Sequence, residues 1–188
     1  TSLKKIAGIG IASIGPLDHK KGGVLDAPNS PFKFISLVKP LKQIFSLPIV
    51  LYTDTKAAVL GEKCFGAGKN IDNLFYITIS TGIGGGAIVD AHLLSGKGGN
   101  AAEIGHVVVD THYSFPCGCK NGAGHWEGCA SGRNIPRFFK FWAQQTKKQI
   151  EFEANTTKDI FDQAQRKNEI ATEFLDELAK MNARAISD

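Results

Sequence analysis

The sequence has no long hydrophobic run and no strong excess of one charge. No apolar segment approaches the roughly 18 residues of a membrane-spanning helix, and the start, TSLKKIAGIG, lacks the apolar core and cleavage site of a secretion signal. The 22 Lys and Arg residues are nearly balanced by 18 Asp and Glu residues and lie in short scattered groups, as is typical of solvated faces. We therefore predict a cytoplasmic protein with neither nucleic acid nor a membrane as its partner.

Cysteine is scarce as well, with four residues in the chain. Cys117 and Cys119 are separated by one residue, which is too close to suggest a disulfide between them. In a reducing compartment, metal binding is the better interpretation of such a pair. Cys64 and Cys129 lie among apolar or small residues, which predicts two buried thiols.

Apolar residues make up 43% of the 188 residues, enough for one sizeable core or two small lobes. Their pattern alternates between β-rich runs and helical segments: strands over residues 6–14, 48–52 and 74–80, and helices over residues 37–45 and 55–65. The order strand, helix, strand predicts a mostly parallel α/β sheet. Between residues 133 and 188, helical patterns carry apolar residues that we interpret as packing faces.

The segment STGIGGGAIVD, residues 80–90, matches the G-x-G-x-x-[GA] pattern of dinucleotide-binding folds. Such folds need a helix directly after the glycines, whereas here β-forming residues continue around an Asp90-Ala91 bend and predict a hairpin. The glycines are thus expected in a strand-to-strand turn. The N–H groups of this turn, with the Thr81 hydroxyl, could form a nest for phosphoryl oxygens; the alternative is a flexible turn without a ligand.

Histidine and cysteine recur in the segments NAAEIGH, residues 100–106, and CGCKNGAGHWE, residues 117–127. Asn100 and Glu103 have the spacing of a capping box, which needs no function, and His106 alone would be a structural histidine. Two thiolates and two imidazoles nevertheless make a complete tetrahedral Zn²⁺ set, although this spacing is not a standard zinc-finger pattern. The alternative is an incidental group of residues. The candidate metal ligands are His106, Cys117, Cys119 and His125.

Together these motifs resemble the ROK family of sugar kinases and related repressors. TDTKAAVLGE, TGIGGGAIVD, AAEIGH and CGC…HWEGCASG stand in the family's order and approximate spacing, and the resemblance covers roughly residues 6–135. It implies an actin-like, ribonuclease H-like α/β fold and phosphorylation of a hexose or amino-hexose hydroxyl by ATP with Mg²⁺. We also expect a homodimer.

The resemblance assigns roles to individual residues. Asp54, expected at the N-cap of a helix that follows a strand, matches the family's catalytic base, and the positive end of the helix dipole favours a carboxylate there. Zinc would hold His106 in place and shape the sugar pocket without performing the transfer. The implied sugar-binding residues are Thr53, Asp54, Glu103, His106 and Glu127, and the implied phosphate-binding residues are Thr81, Gly82, Gly84 and Gly85.

The sequence departs from the family pattern at two positions. Thr53 stands where the family usually has Asn, and its hydroxyl offers fewer donors to a sugar, which leaves the substrate preference open. The third cysteine of the family's zinc segment is absent, and His125, itself a possible zinc ligand, stands nearby.

The two ends of the chain also lack segments of the family pattern. No D-x-G-G-T segment for phosphates and Mg²⁺ precedes the first strand, and the chain stops before the glycine-rich turn that would cradle adenosine. We therefore expect the middle of a kinase, truncated at both ends, with residues 1–50 from the N-terminal lobe and 51–188 from the C-terminal lobe. Such a chain is expected to bind sugar weakly and to phosphorylate it poorly.

Two alternatives to a kinase remain open: a sugar-sensing repressor of the same family, and an inactive fragment with only structural zinc. A sensor needs sugar ligands but no base. The presence of Asp54 therefore favours the kinase.

Overall fold

The computed structural model describes residues 6–26 and 30–187. Thr1 and Asp188, the two ends at which the chain is expected to be truncated, lie outside the described residues. The chain forms two compact units, one of residues 1–77 and 85–102 and the other of residues 78–84 and 103–188. The expected lobe boundary at residue 50 stays a prediction. In the described part of the chain, no helix has both the length and the apolar character that crossing a membrane requires.

The first unit contains a parallel strand pair, β1 (Ile9–Ser13) with β5 (Ile49–Thr53), in register from Ile9↔Ile49 to Ser13↔Thr53. Helix α1 (Val38–Ile44) precedes β5, and helix α2 (Asp54–Phe65) follows it without a loop. The predicted strands and helices of this region are confirmed. β5 is not buried on both faces, however, because Leu51 points into the core while Val50 is 53% exposed.

Three short strands missed in the sequence form an antiparallel sheet: β2 (Leu17–Asp18), β3 (Gly23–Leu25) and β4 (Phe34–Ser36). A third sheet has the order β6-β7-β8, from β6 (Leu74–Ile79), β7 (Ile83–Val89) and β8 (His92–Leu93). The predicted hairpin is confirmed, with Asp90 and Ala91 at φ 49° and 63°. The expected mostly parallel pairing is wrong for this part of the fold, because strands joined by short turns can pair only antiparallel.

The core of the first unit gathers around Leu17, Val24 and Leu51. Helix α2 buries Thr55, Lys56 and Val59. Cys64 is exposed, so the prediction of a buried thiol is wrong there. It lies five residues beyond Val59, about 140° around the helix, and therefore faces away from the buried side.

The second unit is mainly helical. It contains a 3₁₀-helix (Ile104–His106) and the helices α3 (Trp126–Ala130), α4 (Ile135–Gln145), α5 (Thr157–Gln165) and α6 (Glu169–Ser187). The helices expected after residue 133 are confirmed. Helix α5 begins with a capping box, in which Thr156 and Asp159 each accept the other's backbone N–H. These hydrogen bonds hold the pKa of Asp159 below its usual value.

Aromatic side chains form the core of this unit. The Phe174 ring packs against Phe139 with centroids 4.9 Å apart and against Phe138 at 5.7 Å. Trp126, Trp142 and the thiol of Cys129 are also buried, as predicted for Cys129, and burial raises the pKa of that thiol to about 12. Phe161 is an exception to the predicted packing faces, since it is 39% exposed.

We expect Phe138→Ala to lower the free energy of unfolding by about 3–5 kcal/mol, because it removes a fully buried ring and leaves a cavity. Phe65→Ala is the matched control. The Phe65 ring is 86% exposed, so its loss should change stability by about 0.5 kcal/mol or less. Denaturant unfolding of both variants checks this, and equal losses would contradict the packing described here.

Candidate functional site

Asp54 lies at the carboxyl edge of the parallel strand pair. β5 ends at Thr53, and Asp54 is the first residue of α2 rather than its N-cap, which is Thr53. The Asp54 side chain is exposed, and its Oδ1 accepts a hydrogen bond from the Thr55 N–H at 2.8 Å. This bond fixes one carboxylate oxygen at the positive end of the helix dipole. The carboxylate remains open to solvent and can accept a proton.

Thr53 is buried, whereas a sugar-binding role would need its hydroxyl to be accessible. Its Oγ1 lies 3.3 Å from Thr55 Oγ1. The hydroxyl therefore has a partner inside the protein. A contact from Thr53 to a sugar stays a prediction.

The glycine-rich segment is only partly a turn. β6 ends at Ile79 and β7 begins at Ile83, and the turn between them is closed by the Ser80 N–H, which donates to Gly82 O at 2.8 Å. Thr81 and Gly82 belong to this turn, as expected. Gly84 and Gly85 instead lie inside strand β7, because the β-forming pattern begins earlier than the glycines suggested. Phosphate binding by these four residues stays a prediction.

Glu127 reaches the same turn from α3. Its Oε2 accepts a hydrogen bond from the Ile83 N–H at 2.9 Å. A Cβ on Gly82 would stand 2.6 Å from that oxygen, so only glycine leaves room for the carboxylate. The structure thus places a predicted sugar-binding carboxylate beside the turn predicted to bind phosphate.

Glu103 precedes the 3₁₀-helix and His106 is its last residue, and both side chains are exposed. Gly105 lies between them and packs so closely on Ile83 O that a Cβ would collide with it, while Glu127 Cβ would be 3.3 Å away. This close approach brings the segment from Glu103 to His106 next to Glu127.

The capping-box interpretation of Asn100 and Glu103 is wrong. No helix begins at Asn100, whose Oδ1 accepts from Leu17 N and whose Nδ2 donates to Leu17 O, both at 3.1 Å. Glu103 precedes the 3₁₀-helix and makes no side-chain capping bond. The side chain of Asn100 is engaged 83 residues away in sequence, which no local pattern reveals.

His106, Cys117, Cys119 and His125 converge, with one ligand atom from each lying within 4.8 Å of all the others. His106 Nδ1 is 3.9 Å from Cys117 Sγ, and His125 Nδ1 is 3.4 Å from Cys119 Sγ. Tetrahedral Zn²⁺ with bonds of about 2.3 Å to sulfur and 2.0–2.1 Å to nitrogen separates such atoms by about 3.6 Å. The donor set and its spacing therefore fit a zinc ion.

A tight turn holds the two thiols together. Cys117 N donates to Gly122 O at 3.0 Å, and Lys120 N donates to Cys117 O at 3.2 Å. Both cysteines are free of disulfides in the structure. Burial raises the pKa of the Cys117 thiol. The Asn121 N–H donates to Cys119 Sγ at 3.4 Å.

Two residues that support this loop were not found in the sequence. The buried Asp110 carboxylate accepts from the backbone N–H groups of His112 at 3.0 Å and Ser114 at 2.9 Å. Asn182 on α6 accepts from Trp126 Nε1 at 2.7 Å, which fixes the residue beside Glu127. Asp110 could have been suspected because an Asp side chain often accepts the backbone N–H two residues further along the chain. Asn182 carries no local signal.

Comparison with known proteins identifies the family. The family model described as ROK matches residues 1–188. The chain belongs to the ROK family. A glucokinase of Pyrobaculum calidifontis is 44% identical over 168 residues, which cover 89% of this chain and 53% of that protein. The xylose repressor of Bacillus subtilis is 39% identical over 131 residues, 69% of this chain and 33% of the repressor.

Among solved structures, a ROK family glucokinase from Streptomyces griseus in complex with glucose and AMPPNP matches with a TM-score of 0.72 and 33% identity, over 98% of this chain and 61% of that one. The predicted fold class is confirmed, since the ROK kinases have the actin-like ATPase fold and this chain is mixed α/β. The chain spans about half the length of the curated relatives that it matches.

Proposed function

We propose that this ROK protein transfers a phosphoryl group from ATP·Mg²⁺ to a hydroxyl of a hexose or amino-hexose. The observation that carries the proposal is Asp54, an exposed carboxylate fixed at the start of α2 directly after a strand. The glucokinase relatives support the reaction class.

Phosphoryl transfer needs little covalent chemistry from the protein. Catalysis depends mainly on the positioning of the reacting groups and on the stabilisation of their charge. Asp54 would accept the proton of the attacking sugar hydroxyl as its oxygen bonds to the γ-phosphorus of ATP, and ADP would leave with the electrons of the broken P–O bond. Glu103 and Glu127 would accept hydrogen bonds from other hydroxyls of the sugar, and His106 would bind it through the ring nitrogen that faces away from Cys117. The candidate phosphate ligands are Thr81, Gly82, Gly84 and Gly85.

His106, Cys117, Cys119 and His125 would hold a zinc ion. Two thiolates and two imidazoles complete a tetrahedron, so the ion would be structural and would keep no open position for a substrate. Its contribution is to fix the ring orientation of His106 and thereby which nitrogen faces the sugar.

A sugar-sensing repressor is the second candidate, and the xylose repressor among the relatives favours it. Both functions need the sugar ligands, but only the kinase consumes ATP. The protein made from its full reading frame should release ADP when glucose is added and release little without sugar. Glucose binding without any ADP release would favour the repressor. The homodimer and the cytoplasmic location inferred from the sequence stay predictions.

Glu127→Gln should weaken glucose binding by about 10-fold to 100-fold, because a hydrogen bond to a charged group contributes about 1.5–3 kcal/mol. The amide oxygen can still accept from Ile83 N, so the turn should keep its shape. Glu173→Gln is the control, since Glu173 pairs with Lys148 on the surface and has no role in the proposal. Calorimetric titration with glucose measures both, and equal effects of the two variants would contradict the role of Glu127.

A further inference from the structure

Lys56 is a buried lysine that the proposed reaction does not use. It lies in α2, is only 1% exposed, and its Nζ donates to Gly99 O at 2.5 Å and Ser95 O at 3.4 Å. An ammonium group is costly to bury unless carbonyl or carboxylate oxygens take its hydrogens. The two carbonyls fulfil this need, and through them the helix is tied to the loop of residues 95–100.

That loop lies outside helices and strands. Gly96 and Gly99 adopt left-handed conformations, with φ of 73° and 76°. Two internal bonds close the loop, from Gly99 N to Gly96 O at 3.3 Å and from Ala101 N to Ser95 O at 3.0 Å. Asn100 anchors the end of the loop through its two bonds to Leu17. The rest of the loop is held by side chains that reach its carbonyls, and His19 Nε2 also lies 3.3 Å from Gly99 O.

Lys56 is close in sequence to Asp54 and contacts the loop that precedes Glu103 along the chain. It is the third residue of the helix that begins with Asp54. The loop that it holds leads along the chain to Glu103, three residues after Asn100. A shift of the loop would change how the chain enters the segment of Glu103 and His106.

We propose that Lys56 is a positioning residue for sugar binding, which holds residues 95–100 against the helix of Asp54 and so sets the approach of the chain to Glu103. The proposal rests on the proposed function for the roles of Asp54 and Glu103. Lys56 itself does not touch the sugar or the reacting atoms. Its bonds to the loop are charge-assisted and thus about twice as strong as neutral hydrogen bonds.

The test is Lys56→Met, which keeps a long apolar side chain but donates no hydrogen bond. Lys63→Met is the matched control, because Lys63 lies on the same helix and its Nζ also donates to a carbonyl, Ile71 O at 2.5 Å, in a different loop. His19→Ala is a second variant that removes the other side chain at Gly99 O from an exposed position. Amide hydrogen exchange, glucose titration and steady-state kinetics are measured on all three variants and the wild type.

In Lys56→Met we expect exchange at the amides of Gly99 and Ala101 to accelerate at least about tenfold, as the loss of a hydrogen bond to a charged group implies. The glucose Kd and KM should rise about tenfold, because small misplacements of binding groups have effects of this order, while the KM for ATP should stay within about twofold. His19→Ala should act in the same direction with a smaller effect. Lys63→Met should accelerate exchange near residue 71 and leave glucose binding unchanged.

Unchanged exchange in the loop of Lys56→Met and His19→Ala, or an equal loss of glucose affinity in Lys56→Met and Lys63→Met, would overturn the proposal. If Lys56→Met does not fold, His19→Ala decides by the same exchange and affinity measurements. Wild-type protein that does not bind glucose would contradict the proposed function instead, and the exchange pattern would then decide alone whether Lys56 holds the loop.

Discussion

Asp54→Asn, made in the protein from its full reading frame, should lower the rate of phosphoryl transfer by roughly 10²-fold to 10⁴-fold, which is the usual contribution of a general base. Asparagine keeps the shape of the side chain, and its Oδ1 can still accept the Thr55 N–H that the aspartate binds. It cannot take the proton of the sugar hydroxyl. The helix should therefore begin as before, and the loss should appear in kcat rather than in glucose affinity.

The measurement is a coupled ADP-release assay beside calorimetric titration with glucose. Asp72→Asn is a suitable control, because Asp72 is an exposed carboxylate paired with Lys63 at 3.2 Å and has no part in the proposed reaction. Turnover of Asp54→Asn equal to that of the control would remove Asp54 from the role of base. A parallel loss of glucose affinity would instead make it a binding residue.

Cys119→Ser should reduce bound zinc from about one ion per chain to nearly none, since a structural site needs all four of its ligands. Loss of the ion would free the loop that Cys117, Cys119 and His125 hold together. His106 would lose its fixed ring orientation, so glucose affinity should fall as well. Elemental analysis of protein never exposed to a chelator measures the zinc directly and needs no enzyme activity.

Cys64→Ser provides the control for the zinc experiment, because Cys64 is an exposed thiol outside the cluster. It should retain the full zinc content and the wild-type unfolding temperature. Wild-type protein purified without zinc would contradict the assignment, and so would equal zinc loss in the two cysteine variants.

Local sequence patterns predicted the structural elements that are determined by residues close together in the sequence. The Asp90-Ala91 bend was found because Asp90, a residue type that tolerates positive φ, interrupts a β-forming run. Helix α2 was found because Gly66 and Gly68 follow its last turn. The four candidate zinc ligands were grouped from their residue types, and the structure brings them together. Their binding of zinc stays a prediction.

Contacts between distant parts of the sequence could not be predicted in this way. Asn100 looks like a helix cap, yet its amide bonds Leu17, and this pairing exists only in the folded chain. Cys64 stands among apolar residues, but the buried side of α2 is the side whose Thr55 and Val59 pack closely against Gly86 of β7, a contact that sequence neighbours do not reveal. Lys56 would ordinarily be placed in solvent, and its bonds to carbonyls of the loop at residues 95–100 exist only in the folded chain.

The hydrogen bond from Ile83 N to Glu127 Oε2 affects how readily the glycine-rich turn can bind a negatively charged ligand. The backbone amide of Ile83, at the end of this turn, already donates to the Glu127 carboxylate, which belongs to the protein itself. A phosphoryl group approaching the same amide would meet like charge and would have to displace the carboxylate. We therefore expect any phosphate at this turn to be bound by the donors of neighbouring residues, such as the Thr81 hydroxyl, and neutralising Glu127 should make the turn more attractive to phosphate.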